Sequence, residues 1–114
     1  MKLLIVLASL LLGSLILPAC SPGGATPVEG REIKVTGGSY RDITPAELKS
    51  MLGNKDFNLV NVHIPYAGEI PGTDSFVPYN EIEPNLSRLP QDKAAKMVIY
   101  CRSGYMSGIA AETL

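Results

Sequence analysis

Met97-Val98-Ile99-Tyr100-Cys101-Arg102-Ser103-Gly104-Tyr105-Met106-Ser107 joins an apolar run to a cysteine and a glycine-containing loop. Four apolar residues in a row, Met97 to Tyr100, read as a central strand buried inside a parallel sheet. Gly104 lets the backbone curl after it, and residues 108–114 are helix-like, with the helix expected to begin by about Ser107. A cysteine directly after such a strand stands at the carboxyl edge of the sheet, where open α/β sheets bind ligands. The loop can point several N–H groups at one centre, and a helix N-terminus adds partial positive charge there. Cys101 is therefore expected to have a lowered pKa and to be nucleophilic at neutral pH, helped by Arg102 if its side chain turns toward the loop. The competing reading is a buried structural cysteine before an ordinary strand–helix loop.

Upstream, the chain alternates strand and helix. Ile33-Lys34-Val35 reads as a short strand ended by Gly37-Gly38, and Tyr40-Arg41-Asp42-Ile43 as a second extended piece. Thr44-Pro45-Ala46-Glu47 is a helix start: Thr44 caps, Pro45 takes the first helical position, and Glu47 closes a capping box. Leu48, Met51 and Leu52 follow at helical spacing, and Gly53-Asn54 stops the helix. Residues 57–62 read as a strand, 63–78 as a loop rich in proline and glycine, and 82–89 as a short helix. The order implies an α/β fold with a parallel sheet flanked by helices. Tyr66, Tyr79 and Tyr105 are candidates to line a pocket, Tyr105 above all because it lies in the cysteine loop. Glu81, Glu83, Asp92, Lys93 and Lys96 read as a solvated surface.

The N-terminus carries a different signal. After Met1-Lys2, residues 3–17 form a run of fifteen without charge, too short for a span of about 20 apolar residues but suited to a secretory signal. Leu17-Pro18-Ala19-Cys20 resembles the lipobox of bacterial lipoproteins. That resemblance implies cleavage before Cys20, a diacylglyceryl thioether on Cys20, and an extracytoplasmic protein anchored by its lipid to the cell membrane or outer membrane. An ordinary cleaved signal with an incidental cysteine is the alternative. Residues 1–19 are thus the expected signal peptide, 20–38 the lipidated cysteine and a Pro/Gly-rich tether, and 39–114 a single domain.

Composition narrows the function classes. The 114-residue chain has ten Lys+Arg against eleven Asp+Glu and one His. Without a basic run it does not read as a nucleic-acid binder. Two cysteines and one histidine make neither a disulfide framework nor a recognisable zinc site, so no metal is expected. The absence of Cys-x-x-Cys argues against a thioredoxin-like redox role. Cysteine phosphatases and arsenate reductases grip their anion with an arginine six positions after the cysteine, where this chain has Ser107.

Taken together, Cys-Arg-Ser-Gly-Tyr-Met-Ser at 101–107, Asp42-Ile43-Thr44-Pro45-Ala46-Glu47-Leu48, Leu59-Val60-Asn61-Val62 and Gly68-Glu69-Ile70-Pro71-Gly72 resemble the rhodanese-like sulfurtransferases. The resemblance implies a Cys101 persulfide ringed by the backbone of Arg102, Ser103, Gly104, Tyr105, Met106 and Ser107. Sulfane sulfur would come from a small donor such as thiosulfate and pass to cyanide or a thiol, with no cofactor. Asn61-Val62-His63 stands where the family has Asp-Val-Arg, and Glu69 where it has His. His63 is read as a substitute polar contact rather than a catalytic base. The family continues beyond the active-site helix with another strand and a final helix, so the expected fold is an incomplete rhodanese-like sheet, and activity is expected of the full-length protein. A non-catalytic docking or sulfur-carrier module is the alternative function.

Overall fold

The computed structural model describes residues 30–114. The signal segment, Cys20 and the first part of the tether lie outside the described residues. The elements are β1 (Arg31–Val35), β2 (Gly38–Asp42), α1 (Pro45–Leu52), β3 (Asn58–Asn61), β4 (Ser75–Phe76), β5 (Met97–Tyr100) and α2 (Tyr105–Thr113), with a 3-10 segment at Glu83–Arg88.

Leu59 and Val60 are neighbours, and both are buried. Adjacent residues of a strand point to opposite faces, so β3 is covered on both sides. Leu59 packs with Leu48 and Phe57, and Met51 and Leu52 of α1 lie against them. Val60 packs with Val62, Val77, Ile82, Leu89 and Ala110, with Met106 of α2 and Cys101 alongside. The two helices therefore cover opposite faces of one sheet. Its order is β4-β3-β5, and both pairings are parallel, with Asn61 opposite Phe76 on one side and Tyr100 on the other. This is an α/β fold with a three-stranded parallel sheet. No helix among the described residues is long and apolar enough to cross a membrane.

Two expectations are corrected. The apolar run Met97–Tyr100 implies a central strand, but β3 is central and β5 is an edge strand of the sheet. β5 is apolar throughout but half-buried, whereas β3, Asn58-Leu59-Val60-Asn61, carries the fully buried residues. The stretch 63–78 contains a strand, β4, which at two residues is too short to show a period. The short helix expected over 82–89 is present as a 3-10 segment at Glu83–Arg88; Pro84 lies in its first turn and Asn85 leaves helical geometry. The two expected N-terminal extended pieces are present and pair as one antiparallel hairpin, β1 with β2.

Local chemistry explains the joints. Thr44 and Glu47 form the expected capping box, the Thr44 amide donating to Glu47 at 2.6 Å and the Glu47 amide to Thr44 Oγ1 at 3.2 Å. Glu47 also accepts from the Gly30 amide at 3.1 Å, which ties the start of the hairpin to α1. These bonds to the charged form hold the Glu47 carboxyl below its usual range. Asp74 accepts from the Leu59 amide at 2.7 Å and from Lys55 at 2.6 Å.

The Ile70-Pro71-Gly72-Thr73 turn is closed by a Thr73 amide bond to the Ile70 carbonyl at 3.1 Å. Gly72, at φ +92°, supplies the left-handed residue that a type II turn requires. Tyr100 pins the turn to the sheet. Its hydroxyl accepts from the Ile70 amide at 3.0 Å and meets Thr73 Oγ1 at 2.8 Å. Thr73 Oγ1 donates to the Ile70 carbonyl at 2.6 Å, so Tyr100 is the donor in the second contact. Tyr100→Phe removes both bonds and leaves the ring in place. It should cost about 1–3 kcal/mol in urea unfolding, whereas Tyr105→Phe, at an exposed position, should be neutral.

Candidate active site

β5 ends at Tyr100 and α2 begins at Tyr105, so residues 101–104 make the whole connection. The turn closes because Gly104 sits at φ +89°, ψ −15° as the residue capping α2. A Cβ there would meet nothing within 4 Å, so the need for glycine is conformational rather than steric. With Gly104 left-handed, the open amides at the start of α2 face back toward the strand.

Cys101 Sγ occupies the resulting centre. The Gly104 amide donates to it at 3.1 Å and the Ser107 amide at 3.4 Å, and Ser107 Oγ lies 3.5 Å away. The Ser103 amide adds a favourable contribution to the anionic sulfur. Burial raises the thiol pKa, but the Ser107 hydroxyl and the Ser107, Ser103 and Gly104 amides outweigh it, and the net shift is downward. Arg102 is not among the causes. The thiolate is stabilised by oriented backbone and one hydroxyl rather than by a cation.

Ser107 has one hydroxyl proton and two places to direct it. Its Oγ lies 3.1 Å from the Gly104 carbonyl and can accept from the Cys101 thiol. When the thiol ionises, the hydroxyl can swing to Sγ, because the Gly104 carbonyl keeps the Gly108 amide at 2.9 Å.

Cys101 opens onto a cleft of about 540 Å3 lined also by Asn61, His63, Ala67, Gly68, Glu69, Ile70, Tyr100 and Arg102. These residues follow or end β3 and β5, so the cleft lies at the carboxyl end of the parallel strands. Asn61 is buried and shapes its floor: Nδ2 donates to the Gly68 carbonyl at 3.1 Å, and Oδ1 accepts from the His63 amide at 3.0 Å. A second depression, near Gly30, Asp42 and Glu47, shares no residue with it. No group of three or more potential metal ligands occurs among the described residues.

The expected site residues thus divide. Gly104 and Ser107 meet the Cys101 sulfur, and Ser103 Oγ accepts from the Tyr105 amide instead. Arg102 lines the cleft, Tyr105 is exposed with its amide 3.5 Å from Ser103 Oγ, and Met106 packs into the core. None of the three tyrosines named from the sequence lines the cleft: Tyr66 stands edge-on to Phe76, Tyr79 packs against the core, and Tyr105 projects outward. Tyr100 does line it, and was missed because it reads as a strand residue. Comparison with known proteins finds no match among protein-family models, curated proteins or solved structures.

Alkylation by iodoacetamide across pH should show Cys101 ionising below the range of a free thiol. Ser107→Ala should move that midpoint up. Gly104→Ala should do the same and cost about 1 kcal/mol of stability. Because the folded pKa is depressed, the thiolate's contribution to stability is lost as pH falls through the folded value and is fully present above the ordinary thiol range. Cys101→Ser should flatten that part of the stability profile.

Proposed function

We propose that this chain is a rhodanese-like sulfurtransferase of the cell envelope that carries sulfane sulfur as a Cys101 persulfide. The observation that carries the reading is the set of polar groups around Cys101 Sγ, formed by the amides of Gly104 and Ser107 and the Ser107 hydroxyl. Such a set favours an anionic sulfur without neutralising it, which suits both the thiolate and a persulfide.

The first half-reaction is a displacement. The thiolate attacks the outer sulfur of thiosulfate, a sulfur–sulfur bond forms to Sγ, and sulfite leaves with the electrons of the broken bond. In the second, cyanide or a thiolate attacks the outer sulfur, and Cys101 departs as the thiolate that the loop already stabilises. Neither step changes the number of electrons held by the protein over a cycle, so no cofactor is required. The Arg102, Tyr105 and Met106 amides complete the loop on the resemblance to the family. A phosphatase is disfavoured by Ser107, which stands where that chemistry needs an arginine and instead touches the sulfur.

Thiosulfate should add one sulfur mass to Cys101, reversibly with a reductant, and cyanide should release it as thiocyanate. Cys101→Ser should abolish both steps without unfolding the protein. A folded protein whose Cys101 gains no sulfur would leave the docking-module reading in its place. For the anchor, the proposal is lipidation at Cys20: labelled fatty acid should be incorporated by the expressed protein and lost in Cys20→Ala, and an unlabelled mature protein would contradict it.

A further inference from the structure

Cys101 shares its cleft with charges of both signs. Glu69 enters from the long loop after β3, and Arg102 follows the nucleophile itself; both are exposed. The ion pairs among the described residues join Arg31 to Asp42, Lys55 to Asp74 and Lys96 to Asp56. Neither Glu69 nor Arg102 has an ionic partner there.

The neutral polar groups of the cleft are already used. Both ends of the Asn61 amide are bonded within the protein. The Tyr100 hydroxyl is engaged by Ile70 and Thr73. What remains to read a small molecule is the pair of opposite charges, with His63 as the third titratable side chain on the lining. A purely anionic acceptor is attracted by Arg102 and repelled by Glu69. A molecule carrying both an ammonium and a carboxylate gains at each end.

We propose that Glu69 and Arg102 select the sulfur acceptor, and that the acceptor class is a small zwitterionic amino thiol of the cysteine type, its ammonium toward Glu69 and its carboxylate toward Arg102. This rests on the sulfurtransferase reading. The step balances: the acceptor thiolate forms a bond to the outer sulfur of Cys101–S–SH, the bond to Sγ breaks, and Cys101 leaves as thiolate while the acceptor departs as its own persulfide. The open cleft of about 540 Å3 admits a molecule of this size.

The test begins with protein loaded by thiosulfate and verified by mass. Discharge is then timed at low salt with cysteine, 3-mercaptopropionate, cysteamine and 2-mercaptoethanol, each rate expressed per thiolate. At an exposed site each charge is worth a few-fold, so cysteine should exceed 2-mercaptoethanol by about tenfold, with the margin shrinking in salt. Glu69→Gln should bring cysteine down toward 3-mercaptopropionate, and Arg102→Gln toward cysteamine. Equal rates, or a ranking that neither variant alters, would overturn the proposal while leaving sulfur transfer intact. A second measurement does not need the transfer reaction. S-methylcysteine should slow iodoacetamide alkylation of Cys101 more than 3-(methylthio)propionate or 2-(methylthio)ethylamine does, and equal protection by all three would also overturn it. Failure to load with sulfur, alongside selective protection, would instead remove the sulfurtransferase reading and keep the zwitterion site.

Discussion

Between the end of β5 and the start of α2 the chain has four residues, 101–104, in which to turn from strand to helix. A left-handed residue at Gly104 is the constraint that makes this possible. It directs the free amides of the helix back at the side chain that leaves the strand, and that side chain is Cys101. The sulfur is then both the group the loop stabilises and the group that satisfies its otherwise unpaired donors. Loop geometry and thiol chemistry are one arrangement, and neither survives a Cβ at 104 without backbone strain.

The rest of the fold holds this turn in place and builds a cleft beside it. α2 is anchored by Ala110, which is fully buried, and by Met106, so its first turn cannot drift from β5. On the opposite face Tyr100 reaches from the residue before the nucleophile to the Ile70-Pro71-Gly72-Thr73 turn. Asn61, level with Tyr100 on β3, holds Gly68 and His63. Neutral hydrogen bonds thus shape the wall of the cleft, and Glu69 and Arg102 have no ion-pair partner among the described residues.

Much of this was legible in the sequence because it is local. The capping box at Thr44 and Glu47, the α/β order and the position of Cys101 after an apolar strand all follow from residues within a few places of one another. What was not legible depends on pairing between distant segments. The run 97–100 is the more apolar of the two four-residue strands, yet the pairing of β4 against β3 makes 58–61 the central one. Tyr100 reads as packing until the Ile70 turn, thirty residues away, comes to its hydroxyl. Arg102, next to Cys101 in sequence, suggests an aid to the thiolate, but the oriented amides and Ser107 supply that effect, and the arginine lines the cleft.

The central claim is that the 101–107 loop is a receptor for anionic sulfur on Cys101. The most direct measurement is a crystal structure of the protein after treatment with thiosulfate. The account predicts a second sulfur bonded to Cys101 Sγ, within hydrogen-bond distance of the amides between Ser103 and Ser107. An unmodified Cys101 in an otherwise unchanged loop, under conditions where a free thiol persulfide survives, would contradict it.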